Sequence, residues 1–124
     1  MNEKTKIFVV EDNKLNAEVF RHFLKDICQM DFAMTAKSAM EKIASNNYEI
    51  FLLDIKLGHG TSGVELMKEI RKLPEYKNTP IVAITGYTES EDELNFLKLG
   101  FSHYLAKPFS KKQIVELIQT IINS

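Results

Sequence analysis

Tyr48-Glu-Ile-Phe-Leu-Leu-Asp54 is an apolar run of strand length that drives one carboxylate out of its C-terminal tip. Three other runs also end on a polar group. Ile7-Phe-Val-Val10 leads into Glu11-Asp12, Ile81-Val-Ala-Ile84 into Thr85, and Tyr104-Leu-Ala106 into Lys107. Between these runs lie stretches of helical period, the alternation expected of a parallel sheet covered on both faces. The pattern predicts strands over Ile7–Val10, Asp31–Met34, Ile50–Leu53, Ile81–Ile84 and His103–Ala106. It predicts helices over Lys14–Ile27, Ser38–Ser45, Val64–Leu73, Glu91–Leu99 and Lys111–Ile122. Asn13, Thr35 or Ser38, and Ser110 are placed to cap helix starts, while Pro74 and Gly100 fall where helices should stop.

The 124 residues fit one domain, 1–124, with enough chain for a real core. An apolar share of 44% and a charged share of 27% are those of an ordinary globular protein. The net charge of −1 gives no basic bias toward nucleic acid or an anionic membrane, so neither is expected as a direct partner. The apolar stretches are strand-length and the start lacks an apolar signal core, so a cytoplasmic location is expected. Met1 close to the first strand favours a natural start, and the sequence closes after the fifth helix without room for an output domain. Cys28 is alone; within an expected helix stripe it reads as a small buried hydrophobe.

Right-handed crossovers restrict five such units to a few doubly wound sheets. The expected architecture is a flavodoxin-like three-layer sandwich, with strands in the order 2-1-3-4-5 and five helices. Strands one and three then meet at the switch point, where ligands bind outside the carboxyl ends. Asp12 lies beside Asp54 in that order, with Thr85 one strand further and Lys107 one beyond. Groups scattered in sequence become one pocket.

The charges in that pocket dictate its needs. Two like charges about 4 Å apart repel by roughly 4 kcal/mol at an effective dielectric near 20. Glu11, Asp12 and Asp54 together therefore need a cation beyond the single charge of Lys107. An oxygen-only donor set suits Mg²⁺ better than zinc. A carboxylate can form an acyl phosphate, a metal can shield the repulsion of the incoming oxygens, and Thr85 and Lys107 can hold the others.

The set Val10-Glu11-Asp12-Asn13, Leu53-Asp54, Ile84-Thr85 and Lys107-Pro108-Phe109, in this order and on successive strand ends, resembles the CheY-like receiver domains of response regulators. The resemblance runs from Lys6 to Ile122 and implies several roles. Asp54 would be the phosphoacceptor. Asp12 would bind Mg²⁺ directly, Glu11 largely through water, and the Lys56 carbonyl would be a further ligand. Thr85 and Lys107 would contact the phosphoryl group across a cis Lys107–Pro108 bond. Tyr104 matches the aromatic that turns inward when the threonine moves. The donor would be a sensor histidine kinase or a histidine phosphotransfer protein, and the recipient a downstream protein meeting Glu89–Leu99, Tyr104 and Lys111–Ile122.

Glu11-Asp12-Asn13-Lys14-Leu15-Asn16 is closer to receivers of hybrid kinases and phosphorelays than to chemotaxis receivers. Leu15 lies roughly 110° from the centre of the Val19/Phe20/Phe23/Leu24/Ile27 stripe. An apolar residue at that rim is placed to dock a helical phosphodonor. The sequence departs from the family after Asp54: Gly58 replaces the usual proline and Gly63 arrives one residue late, implying a longer Leu57–Gly63 loop.

Each signal also has a plainer reading. Glu11-Asp12 before a helix fits capping and dipole compensation, until Asp54 at the neighbouring tip favours a metal. Gly58-His-Gly-Thr-Ser-Gly63 spells a dinucleotide fingerprint, but follows the third strand and lacks the later acid, having Val82-Ala83 there. His22, His59 and His103 have no metal-ligand spacing and read as surface or rim residues. Tyr87 and Lys56 border the pocket mouth or are exposed loop residues. An aspartate phosphatase would want its nucleophile after the first strand and a second acid at the Lys56 position. A flavin protein would not place Glu11-Asp12-Asn13 against a phosphate. The remaining alternative is a degenerate receiver that only binds protein, against which the intact set of site residues argues.

Overall fold

The computed structural model describes residues 4–57, 62–86 and 90–124. Its elements run β1 (Thr5–Val10), α1 (Lys14–Leu24), β2 (Cys28–Ala33), α2 (Ala36–Ser45), β3 (Ile50–Asp54), α3 (Gly63–Arg71), a 3₁₀ turn (Pro74–Tyr76), β4 (Ile81–Thr85), α4 (Ser90–Leu99), β5 (His103–Ala106) and α5 (Lys111–Ile122). All sheet pairings are parallel, in the order β2-β1-β3-β4-β5.

Alternation along each strand explains why the sheet needs two helical layers. Phe8, Val10, Phe51, Leu53 and Ala83 point to one face, where Ile43 of α2, Leu66, Met67 and Ile70 of α3 and Phe96 of α4 cover them. Ile7, Val9, Ile50, Leu52, Val82 and Ile84 point to the other, against Phe20 and Leu24 of α1 and Ile114 and Ile118 of α5. The central strands are buried on both faces, as expected of their unbroken apolar runs. With polar tips at one end, this burial leaves the carboxyl edge of the sheet as the place for chemistry.

Capping fixes how each helix leaves that edge. Asn13 Oδ1 accepts from Asn16 N, Thr35 Oγ1 from Ser38 N, and Ser110 Oγ from Gln113 N. Thr35 and Ser110 belong to full capping boxes, completed by Ser38 and Gln113. Gly100 closes α4 with φ of 130°, a conformation that favours glycine.

Element bounds shift by a residue or two in several places, and most at the junction of α1 and β2. The helix α1 stops at Leu24 rather than Ile27, and β2 begins at Cys28 rather than Asp31 and ends one residue before Met34. Ile27 and Cys28 face the same core from a turn and a strand that the helix stripe faces, so apolar period could not separate them. Pairing with Thr5–Val10 sets the length of β2, and the register Thr5↔Cys28 reaches further back than its own alternation. Cys28 is buried as expected, with its thiol bonded to the Leu24 carbonyl and pushed up to about 11 by burial. The Leu57–Gly63 loop path, His59, Tyr87 and Glu89 lie outside the described residues.

Candidate functional site

The switch point between β1 and β3 brings Glu11, Asp12, Asp54, Lys56, Thr85 and Lys107 to the wall of one pocket of about 270 Å³. The register places Asp54 opposite Ile84 and Thr85 opposite Ala106, so consecutive strand tips step across the sheet. Glu11, Asp54 and Thr85 are buried polar residues, 2%, 6% and 2% exposed. Their neighbours must therefore satisfy them.

Lys107 does so for the acids. Its Nζ lies 2.7 Å from Asp54 Oδ2 and 3.4 Å from Glu11 Oε2. Burial works against its charge, but the hydrogen bond and attraction of Asp54, with Glu11 behind it, outweigh that and raise its pKa. The Lys56 amide donates to Asp54 Oδ1 at 2.9 Å, so both oxygens of Asp54 are engaged. Glu11 Oε1 accepts from the Asn13 amide at 3.3 Å and from Asn16 Nδ2 at 3.1 Å. Even so, burial first and the nearby Asp54 second push Glu11 up to about 7.

A cation fits this donor set. Glu11, Asp12 and Asp54 each offer one carboxylate oxygen, and the three lie within 4.8 Å of one another. The cluster is oxygen-only, with Lys107 in ion-pair contact with two of its three carboxylates, a composition that suits a hard divalent ion.

The backbone behind Asp54 is equally constrained. Lys56 bridges Ser62, Gly63 N donates to Ile55 O at 2.9 Å, and α3 starts immediately against the end of β3. A Cβ at Gly63 would stand 2.2 Å from the Asp54 carbonyl oxygen. The glycine displaced from the family spacing thus sits at a contact that admits no side chain. The Lys107–Pro108 peptide is cis, and Lys107 N donates to Thr85 O at 2.6 Å. Tyr104 packs half-buried against the core on the α3 and α4 side.

Sequence reasoning did not single out Asn16 as a partner of Glu11. The signal was its place in the first turn of α1, above the tip of β1. His103 is half-buried on β5 rather than a surface or rim residue, and burial lowers its pKa. It opens the strand, so it stands at the far end from Lys107.

The response regulator receiver domain profile matches residues 7–119. The transcriptional regulatory protein ResD of Bacillus subtilis is 31% identical over 120 residues, covering 96% of this chain and 48% of that protein. The autoinducer 2 sensor kinase/phosphatase LuxQ of Vibrio parahaemolyticus is 34% identical over 116 residues, covering 93% of this chain and 13% of that one. The receiver domain of sensor histidine kinase PA1611 from Pseudomonas aeruginosa, solved with a magnesium ion coordinated in its active site cleft, superposes with a TM-score of 0.86 at 28% identity, covering 98% and 99% of the two chains.

The sheet order and the acidic pocket are those of a CheY-like signalling module. The chain belongs to the response regulator receiver domain family and is a receiver domain of two-component response regulators. It spans half or less of the length of the two curated relatives described. Among the described residues, no helix is long and apolar enough to cross a membrane.

Proposed function

We propose that Asp54 accepts a phosphoryl group from the histidine of a sensor kinase or phosphotransfer protein, in a Mg²⁺-dependent reaction in the cytoplasm. The observation that carries this reading is the Asp54 carboxylate, buried at the base of the pocket with Oδ2 2.7 Å from Lys107 Nζ. An Asp54 oxygen attacks phosphorus, the P–N bond breaks, and the donor imidazole nitrogen keeps the electron pair. Lys107 holds its positive charge where a phosphoryl oxygen arrives, and the Thr85 hydroxyl takes up another from the tip of β4. Glu11, Asp12, Asp54 and the Lys56 carbonyl would hold Mg²⁺, which supplies charge neutralisation for the acids and the phosphoryl oxygens. Magnesium in the cleft of the PA1611 receiver supports this assignment.

The product is a switch state rather than a released product. New contacts from Thr85 and Lys107 to the phosphoryl group bias the packing of β4, α4, β5 and Tyr104, and so the surface offered to a downstream protein. Donor docking is read on α1. Leu15 is 77% exposed and Val19 39%, and Val19 lines a groove of about 460 Å³ with Asn16, Phe20, Lys107, Pro108 and Phe109. Leu15→Ala is expected to slow transfer from a protein donor while leaving reaction with acetyl phosphate unchanged. Equal rates from the protein donor would remove the docking role.

Incubation with acetyl phosphate and Mg²⁺, followed by intact-mass measurement, tests the central reading. Wild type is expected to gain one phosphoryl mass and Asp54→Asn none. A gain in both would move the acceptor elsewhere, and a gain in neither would favour a receiver that only binds protein.

A further inference from the structure

Glu11 is a buried carboxylate whose two oxygens have different surroundings. Oε2 faces Lys107 Nζ at 3.4 Å, whereas Oε1 is turned to α1, where Asn16 Nδ2 donates at 3.1 Å and the Asn13 amide at 3.3 Å. Helix capping does not account for the Asn16 side chain. The cap uses Asn16's backbone N–H, held by Asn13 Oδ1 at 3.1 Å, and leaves the Asn16 amide group with no part in it. That backbone bond instead fixes where the side chain starts, so the amide group reaches back from the third helical residue to the strand tip. In this arrangement Asn16 Nδ2 is the donor and Glu11 Oε1 the acceptor, the sense that the ionised, cation-binding form of Glu11 requires.

We infer that Asn16 is a positioning residue for cation binding: by occupying Glu11 Oε1 it holds Oε2 toward the pocket. The inference rests on the proposed Mg²⁺ site at Glu11, Asp12 and Asp54. Without the Asn16 amide, Glu11 keeps one long backbone hydrogen bond on that oxygen and its carboxylate is free to turn. Partners behind metal ligands commonly set affinity in this way, by fixing ligand orientation. The hydrogen bonds to the Asp54 oxygens come from Lys56 N and Lys107 Nζ and that of Asn16 Nδ2 goes to Glu11, so its effect appears in cation affinity before any phosphoryl group is present.

The test is a Mg²⁺ titration of the full chain without phosphodonor, followed by calorimetry or amide chemical shifts. Wild type, Asn16→Ala, Glu11→Ala and the double variant are compared. Asn16→Ala is expected to raise Kd about tenfold, the low end of the cost of losing such a partner. In the Glu11→Ala background the same change is expected to alter Kd by less than about twofold, because nothing is left to position. Wild-type affinity in Asn16→Ala would overturn the inference. So would an equal loss in both backgrounds, which would mark a general disturbance of α1. If wild type itself binds no Mg²⁺, the site reading of the previous section fails together with the inference, an outcome distinct from either.

Discussion

The two ends of the sheet solve the problem of burying polar groups in opposite ways. At the amino end, Arg71 donates Nε and Nη2 to the Gly100 carbonyl at 3.2 and 3.0 Å, and Nη1 to the carbonyls of Tyr76 and Thr79. The Tyr76 hydroxyl accepts from Tyr48 N and donates to Asn46 O, each at 3.2 Å, and the Ser102 hydroxyl accepts from Ile81 N at 2.7 Å. Neutral carbonyls meet one cation there, and these groups are satisfied within the chain, although His103 Nδ1 at the start of β5 is buried without a hydrogen-bond partner. At the carboxyl end three carboxylates cluster, Lys107 pairs with two of them, and Glu11 is driven toward the protonated form. The clustered carboxylate oxygens there can take a further cation. Binding free energy can therefore act on the site end while the far end stays fixed, a division suited to a switch.

The largest expected effect comes from disturbing the backbone at the site end. Gly63→Ala would place a methyl carbon 2.2 Å from the Asp54 carbonyl oxygen, and the neighbour there is main chain rather than a flexible side-chain tip. Either the start of α3 or the end of β3 must move, at a cost of about 3 kcal/mol. A urea midpoint close to wild type would show that this edge yields, contrary to the contrast drawn here. Arg71→Met should cost about 2 kcal/mol, since carbonyls at three residues lose their donor at once. The sharper result is the second readout: Mg²⁺ affinity should stay at the wild-type value, because Arg71 lies at the closed end. A parallel loss of Mg²⁺ binding would mean that the two ends are not independent.

How much of this was readable beforehand depended on how locally each feature is encoded. An apolar run that stops on Asp54, Thr85 or Lys107 carries its own signal, and the crossover rule then supplies the strand order. The convergence of these residues was legible for that reason, as were the caps at Asn13, Thr35 and Ser110. Features set by distance in space were not. Nothing in the neighbourhood of Gly63 tells that its Cα abuts the Asp54 carbonyl, nor does the end of α3 reveal that Arg71 reaches Gly100. The start of β2 was misplaced because its partner strand, not its own sequence, sets its length.

The smallest effect per step, although it accumulates to about 3 kcal/mol across the whole window, is a dependence on pH, which tests the acid cluster at the site end directly. Glu11 sits near 7 in the folded chain against 4.5 as its ordinary value. Between those values the folded chain keeps a proton on Glu11 that the unfolded chain has released, so the Glu11 contribution to stability falls as pH rises through that window, against an opposite contribution from His103, whose pKa burial lowers. Below it both states are protonated and above it neither is, and the slope vanishes. At its steepest the fall should be about 1 kcal/mol per pH unit, read from urea titrations without divalent ions. Glu11→Gln should flatten it, because the amide does not titrate. Saturating Mg²⁺ should also flatten it in wild type by favouring the ionised carboxylate, whereas in Asp54→Asn both the slope and the Mg²⁺ response should shrink, since the neighbouring charge that helps raise Glu11 is gone. If subtracting the Glu11→Gln slope from that of wild type left no fall with pH, Lys107 would be compensating Glu11 fully and the site end would need no further cation.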